Sequence, residues 1–153
     1  PGADWATELS SCQAVLHLAA RVHVMKDGAE DPLMAYREVN TAGTLRLARQ
    51  AAQQGARRFV FVSTVKVNGE ETQLDHAFRH RDPAGPIDPY GVSKREAEDG
   101  LREIAALTGM EVVIIRPPLV YGPGVKANFA AMMRAIQRGL PLPLASVTHN
   151  RRS

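Results

Sequence analysis

The residues with the clearest chemical potential are Tyr90 and Lys94, in the run Tyr90-Gly91-Val92-Ser93-Lys94. Inside a helix, a four-residue interval sets the phenol and the ammonium on one face, one turn apart. A free tyrosine has a pKa of about 10, so a general base at neutral pH needs positive charge close by, and Lys94 can supply it. On spacing alone the same pair also arises in helices with no chemistry to do. Two further hydroxyls, Ser63 and Thr64, close the β-branched and aromatic run Phe59-Val60-Phe61-Val62. That run predicts a strand, and the carboxyl ends of parallel strands are where ligands bind in open α/β sheets.

Other constellations point to structure rather than chemistry. His76 and His80 stand four apart in a loop-like stretch with no Glu or Cys ligand nearby, so no metal is expected. His17 and His23 read as structural histidines, and Met25, Met132 and Met133 as core fillers. Cys12 is the only cysteine, which excludes an intrachain disulfide framework and suits a small buried side chain. The net charge of +3 is spread along the chain among acidic residues, so a small anionic ligand is expected rather than nucleic acid. Arg57-Arg58 reads as a solvated surface pair, and Arg151-Arg152 is too short to be a basic tract. No run of about 18 apolar residues and no signal-peptide pattern is present, so neither a membrane span nor export is expected, and the chain reads as cytoplasmic.

The elements that must position Tyr90, Lys94, Ser63 and Thr64 alternate in type. With 153 residues, 44% of them hydrophobic, one globular core is expected. Ala14-Val15-Leu16-His17-Leu18-Ala19-Ala20 suits a strand buried on both faces of a parallel sheet. Asp31-Pro32 opens a helical segment with Leu33, Tyr36, Val39, Leu45, Leu47, Ala48 and Ala51 at roughly helical spacing, and Gly55 closes it. The strand at residues 59–62 follows. Residues 65–87 are rich in Gly, Asp, His and Pro and predict a long loop of functional or mobile character. Asp88 as N-cap and Pro89 as first residue open a helix to about Thr108, which Gly109 ends. Val112-Val113-Ile114-Ile115 predicts a third strand, which Arg116-Pro117-Pro118 stops. After the loop Tyr121-Gly122-Pro123-Gly124, a last helix from about Asn128 to Arg138 carries Phe129, Met132, Met133 and Ile136 on one face and ends at Gly139. Strict alternation of strand and helix implies a doubly wound α/β fold with a parallel sheet. Three strands leave much edge unpaired and Pro1-Gly2-Ala3-Asp4 offers no first strand, so part of a larger sheet is expected.

Five segments together, His17-Leu18-Ala19-Ala20, Asn40-Thr41-Ala42-Gly43-Thr44, Phe61-Val62-Ser63-Thr64, Tyr90-Gly91-Val92-Ser93-Lys94 and Arg116-Pro117-Pro118-Leu119-Val120-Tyr121-Gly122-Pro123, resemble extended short-chain dehydrogenases/reductases. Within them the chain is similar to the NAD-dependent epimerase/dehydratase group, with a likeness to UDP-sugar 4-epimerases. The resemblance implies a Rossmann-like domain that is incomplete on its N-terminal side, with the start of a substrate-binding region from about residue 122. It implies Tyr90 as catalytic base, Lys94 as its partner and ribose ligand, Thr64 as the hydroxyl that orients the sugar, and Ser63 in support. Leu18, Ala19 and Ala20 would line the dinucleotide path, Asn40 would help organise the active-site helix, and Pro117 would meet the nicotinamide end. Asn128 and Arg152 would contact the phosphates of a nucleoside-diphosphate sugar. A homodimer paired through the Tyr-Lys helix is also implied.

The family's glycine-rich phosphate turn and its acidic ribose ligand are not in the chain, so the resemblance implies NAD without excluding NADP. Family dehydratases follow the catalytic threonine with an Asp-Glu pair. Here Val65-Lys66 stands there, which disfavours simple 4,6-dehydration. Hydride removed from the sugar and returned to the opposite face would make an epimerase, and hydride delivered to an incoming keto sugar would make a 4-keto reductase. Epimerisation is favoured on family frequency. A non-catalytic nucleotide-binding module or an inactive fragment is the reading from another class, against which the intact Tyr90, Lys94 and Thr64 stand.

Overall fold

The computed structural model describes residues 2–22, 31–72, 76–125 and 127–142, the side chains of residues 127 and 128 excepted. A short helix, α1 (Ala6–Leu9), leads into strand β1 (Ala14–His17). Helix α2 (Pro32–Tyr36) continues through a π-helical stretch, Arg37–Gly43, into α3 (Thr44–Gln53). Strand β2 (Arg58–Val62), a single 3₁₀ turn at Val65–Val67, helix α4 (Pro89–Thr108), strand β3 (Glu111–Ile115) and helix α5 (Ala127–Gln137) complete the order.

The three strands form one parallel sheet in the order β1-β2-β3. Register places His17 beside Phe61 and Phe61 beside Ile114, so alternate residues of all three strands share one face. That face meets the helices. Phe59 and Phe61 are fully buried with Ala48 and Ala51 of α3 and Ala97, Leu101 and Ile104 of α4. Burying each phenylalanine contributes about 2–3 kcal/mol. The opposite face carries Leu16, Val113 and Ile115, all exposed, so among the described residues the helices pack on one face of this part of the sheet. Both crossovers connect neighbours in the same direction across the sheet, which stacks α3 and α4 in a single layer.

Local chemistry explains where elements begin and end. Asp88 accepts a hydrogen bond from the Gly91 amide at 2.6 Å and Pro89 occupies the first turn, while Gly109 takes the left-handed conformation (φ 73°) that closes α4. Asp31 caps α2 in the same way through the Met34 amide. Strand β1 is shorter than its apolar run, because His17 is its last residue paired with β2 and Leu18 already stands exposed. The loop expected over 65–87 begins as a packed turn, with Val65 and Val67 buried. The apolar face expected of α5 is only partly covered: Phe129 stacks on Tyr121 at 4.8 Å, but Met133 and Ile136 are exposed, so Met133 does not fill a core here. Cys12 is half-buried rather than buried, its thiol donating to the Glu8 carbonyl at 3.2 Å. His23 and Met25 lie outside the described residues.

Candidate active site

The sheet's carboxyl edge is where the chemistry-bearing residues gather. Two hydrogen bonds extend the β2-β3 ladder beyond the strands: the Ser63 amide donates to the Ile115 carbonyl at 2.7 Å and the Val65 amide to the Pro117 carbonyl at 3.1 Å. Thr64 is thereby held alongside Arg116-Pro117. Its hydroxyl oxygen caps the 3₁₀ turn by accepting from the Lys66 amide at 3.3 Å, which leaves the hydroxyl proton to donate. Ser63 is buried and its hydroxyl donates to Glu98 at 2.7 Å, so it stands behind Thr64.

Helix α4 brings its first turn to the same edge. Lys66 pairs with Asp88 and, at 3.3 Å, with Glu70, tying the turn after Thr64 to the helix N-terminus. Glycine at 91 permits the approach. A Cβ there would lie 3.0 Å from Asp88 Oδ1 and 3.2 Å from the Lys66 carbonyl oxygen, tighter than ordinary contact.

Tyr90 and Lys94 share a helix face as their spacing requires. Lys94 is 1% exposed, donates to the Val62 carbonyl at 2.8 Å and lies 3.8 Å from the centre of the Phe61 ring. Burial pushes it down to about 8, opposed by the Glu98 carboxylate. Tyr90 is raised above the ordinary tyrosine value by burial, then by the charge of Asp88 and by Tyr36. The Lys94 ammonium itself turns toward β2, where Val62 and Phe61 receive it. Tyr36, buried, meets the Tyr90 ring edge-on at 6.1 Å between centres.

Asn40 sits at the middle of the π-helical stretch and is fully buried. Its Oδ1 accepts from the Arg21 amide at 2.8 Å, and its Nδ2 donates to the Arg21 carbonyl at 3.0 Å and to Ser93 Oγ at 3.0 Å. Ser93 in turn donates to the Tyr90 carbonyl at 2.8 Å, and Thr41 donates to the Ser93 carbonyl at 2.9 Å. Two consecutive residues thus grip one position of α4, and widened π turns of this kind recur at functional sites. The clasp also fixes the segment after β1. There, Leu18 and Ala19 are exposed and Ala20 is half-buried.

His17 is a structural part of this edge. Its ring stacks on Phe61 at 5.9 Å and its Nε2 lies 3.0 Å from Thr44 Oγ1. Burial, aided by Lys94, pushes the imidazole down to about 4, so it is neutral at pH 7. His76 and His80 are both exposed. Among the described residues no three His, Cys, Asp or Glu side chains converge as a metal site, and no helix is long and apolar enough to cross a membrane. Arg152 and the side chain of Asn128 lie outside the described residues.

Sequence reasoning missed Glu98, Arg116 and Phe61 as parts of this edge. Glu98 carried a signal, since it falls four residues after Lys94 on the same helical stripe.

The model of the NAD dependent epimerase/dehydratase family matches residues 3–153. The chain belongs to that family. A UDP-glucose 4-epimerase of Vibrio cholerae is 53% identical over 150 residues, a stretch covering 98% of this chain and 46% of the relative. A UDP-glucuronic acid 4-epimerase from Bacillus cereus, solved with UDP-glucuronic acid and NAD, superposes with a TM-score of 0.75 at 26% identity, covering 92% of this chain and 44% of that one. The UDP-glucose 4-epimerase of Thermus thermophilus, solved with NAD, gives 0.72 at 28% identity over 90% of this chain and 47% of its own. The chain therefore spans about half the length of these epimerase/dehydratase relatives. Its parallel sheet is a partial Rossmann-like fold, as the sequence suggested.

Proposed function

We propose that this chain is the catalytic portion of an NAD-dependent nucleotide-sugar epimerase, with Tyr90 as the base, and that a substrate-binding region starts from about residue 122. The observation that carries the reading is the meeting of α4, with Tyr90 and Lys94 on one face, and the β2 and β3 ends, with Thr64 and Pro117, in a chain of this family.

The described residues fit the nicotinamide-ribose end of a dinucleotide. Leu18 and Ala19 stand open beyond the carboxyl end of β1, and this reading assigns the ribose hydroxyls to the Lys94 ammonium, now seated between the Val62 carbonyl and the Phe61 ring. Bound there, NAD would supply a hydride acceptor and, in its oxidised form, a positive charge. Tyr90 removes the proton of a ring hydroxyl, Thr64 donates its free proton to orient the sugar, and Asn40 holds both the β1 loop and α4 in place. Charge is needed because burial, Asp88 and Tyr36 all favour the neutral phenol. Lys66 stands where a dehydratase needs an acid, and it is committed to Asp88 and Glu70. This supports epimerisation over dehydration. Two copies pairing through α4 and its neighbour α3 belong to the same reading.

The test is interconversion of UDP-glucose and UDP-galactose by the full-length protein with NAD. Equilibration of the two sugars is expected. Consumption of reduced cofactor by a 4-keto sugar nucleotide without interconversion would move the reading to a reductase, and no turnover of either would remove it.

A further inference from the structure

We infer that Glu98 is a positioning residue for Thr64, acting through Ser63 and Arg116; the catalytic half of this inference rests on the function proposed above. Glu98 is fully buried on α4. Its Oε1 accepts from Ser63 Oγ at 2.7 Å and Arg116 Nε at 2.8 Å, and its Oε2 from Arg116 Nη2 at 2.5 Å and Arg102 Nη2 at 3.0 Å. Four donors fill the lone-pair directions of one carboxylate. Burial alone would raise its pKa, but the hydrogen bonds from Arg116 and Ser63 outweigh that and hold the group below its ordinary value.

A buried ion pair is a poor route to stability, since apolar residues of equal volume often do as well or better. What this one adds is direction. The planar fork of Arg116 fixes the angle between β3 and α4, and the serine hydroxyl fixes the end of β2 against both. Arg116 reaches further, its Nη1 donating to Asn68 Oδ1 at 3.1 Å beyond the 3₁₀ turn. Thr64 lies between these anchors: Ser63 precedes it, and the turn it caps ends at Asn68. Any shift of Ser63 therefore passes to Thr64 through one peptide unit, and a displacement of about 1 Å at a reacting group can cost on the order of 100-fold in rate.

The experiment compares the full-length wild type with Ser63→Ala, Glu98→Gln and the double variant, using UDP-glucose and NAD as probes, with hydrogen exchange of residues 63–68 measured in parallel. Each single variant is expected to lower kcat on the order of tenfold or more with KM changed less than about threefold, and the double to be no worse than the weaker single. Exchange over 63–68 is expected to quicken while α3 keeps its protection. Wild-type kcat in Ser63→Ala, losses that multiply in the double, or unchanged exchange over 63–68 would each overturn the inference. Should Glu98→Gln fail to fold, Ser63→Ala, which removes one hydroxyl, decides it alone. Should the wild type not turn over UDP-glucose, the proposed function fails, and the exchange measurement still decides whether Glu98 positions Thr64.

Discussion

Replacing Lys94 with methionine should separate what the lysine does for chemistry from what it does to stability. The side chain is buried with its pKa lowered from 10.5 to about 8, chiefly by desolvation. Each pKa unit is worth about 1.4 kcal/mol, so the folded state disfavours the charged form by roughly 3 kcal/mol relative to the unfolded chain. The unfolded state binds more protons between pH 8 and 10.5, so wild-type stability climbs as pH rises through that window. Below pH 8 the lysine is charged in both states and the whole penalty is present. The hydrogen bond to Val62 and the contact with Phe61 offset part of it, about 1–2 kcal/mol. Lys94→Met, similar in volume and uncharged, should therefore equal or exceed wild-type stability at pH 7 by about 1 kcal/mol while abolishing turnover. Urea titrations at intervals from pH 7 to 10 would show wild type gaining about 2–3 kcal/mol on the variant. A stability difference that stays flat over that range, or a variant that loses several kcal/mol at pH 7, would refute the reasoning.

Three other substitutions follow from the same contacts. Asn40→Asp keeps the acceptor for the Arg21 amide but loses both donors and buries a charge, so a loss of about 3 kcal/mol is expected in thermal unfolding, with faster exchange of residues 18–22. At Gly100 a Cβ would stand 2.6 Å from Leu45 Cδ1, so Gly100→Ala should destabilise by about 1 kcal/mol on calorimetry even though alanine is the better helix former. Asp88→Asn retains the cap on Gly91 and removes a charge that raises the Tyr90 phenol, so the rise of kcat with pH should move to lower pH, as a pH-rate profile would reveal.

Helix α4 was legible almost residue by residue, because its stops are local: Asp88 and Pro89 at one end and Gly109 at the other act through the helix's own backbone. The β2 and β3 cores were equally plain, as β-branched and aromatic runs bounded by Gly55 and Pro117. Strand β1 was overextended through Ala20, since an apolar run does not reveal where its partner strand ends. The face of α5 was misjudged for a related reason: periodicity marks a side that can be buried, whereas burial depends on what packs there. At the candidate site, Tyr90 and Lys94 could be singled out from spacing and Asn40 from the family resemblance. The contacts of Lys94 with the carbonyl of Val62 and the ring of Phe61 could not, because those groups lie 32 or more positions away and are set by the packing of α4 on β2.

The most direct measurement is rapid mixing of the full-length protein, carrying NAD, with UDP-glucose while the absorbance of the reduced nicotinamide is followed. Wild type is expected to show a transient of reduced cofactor, and Tyr90→Phe a rate lower by about 100-fold or more. Equal transients in the two proteins would contradict the role given to Tyr90.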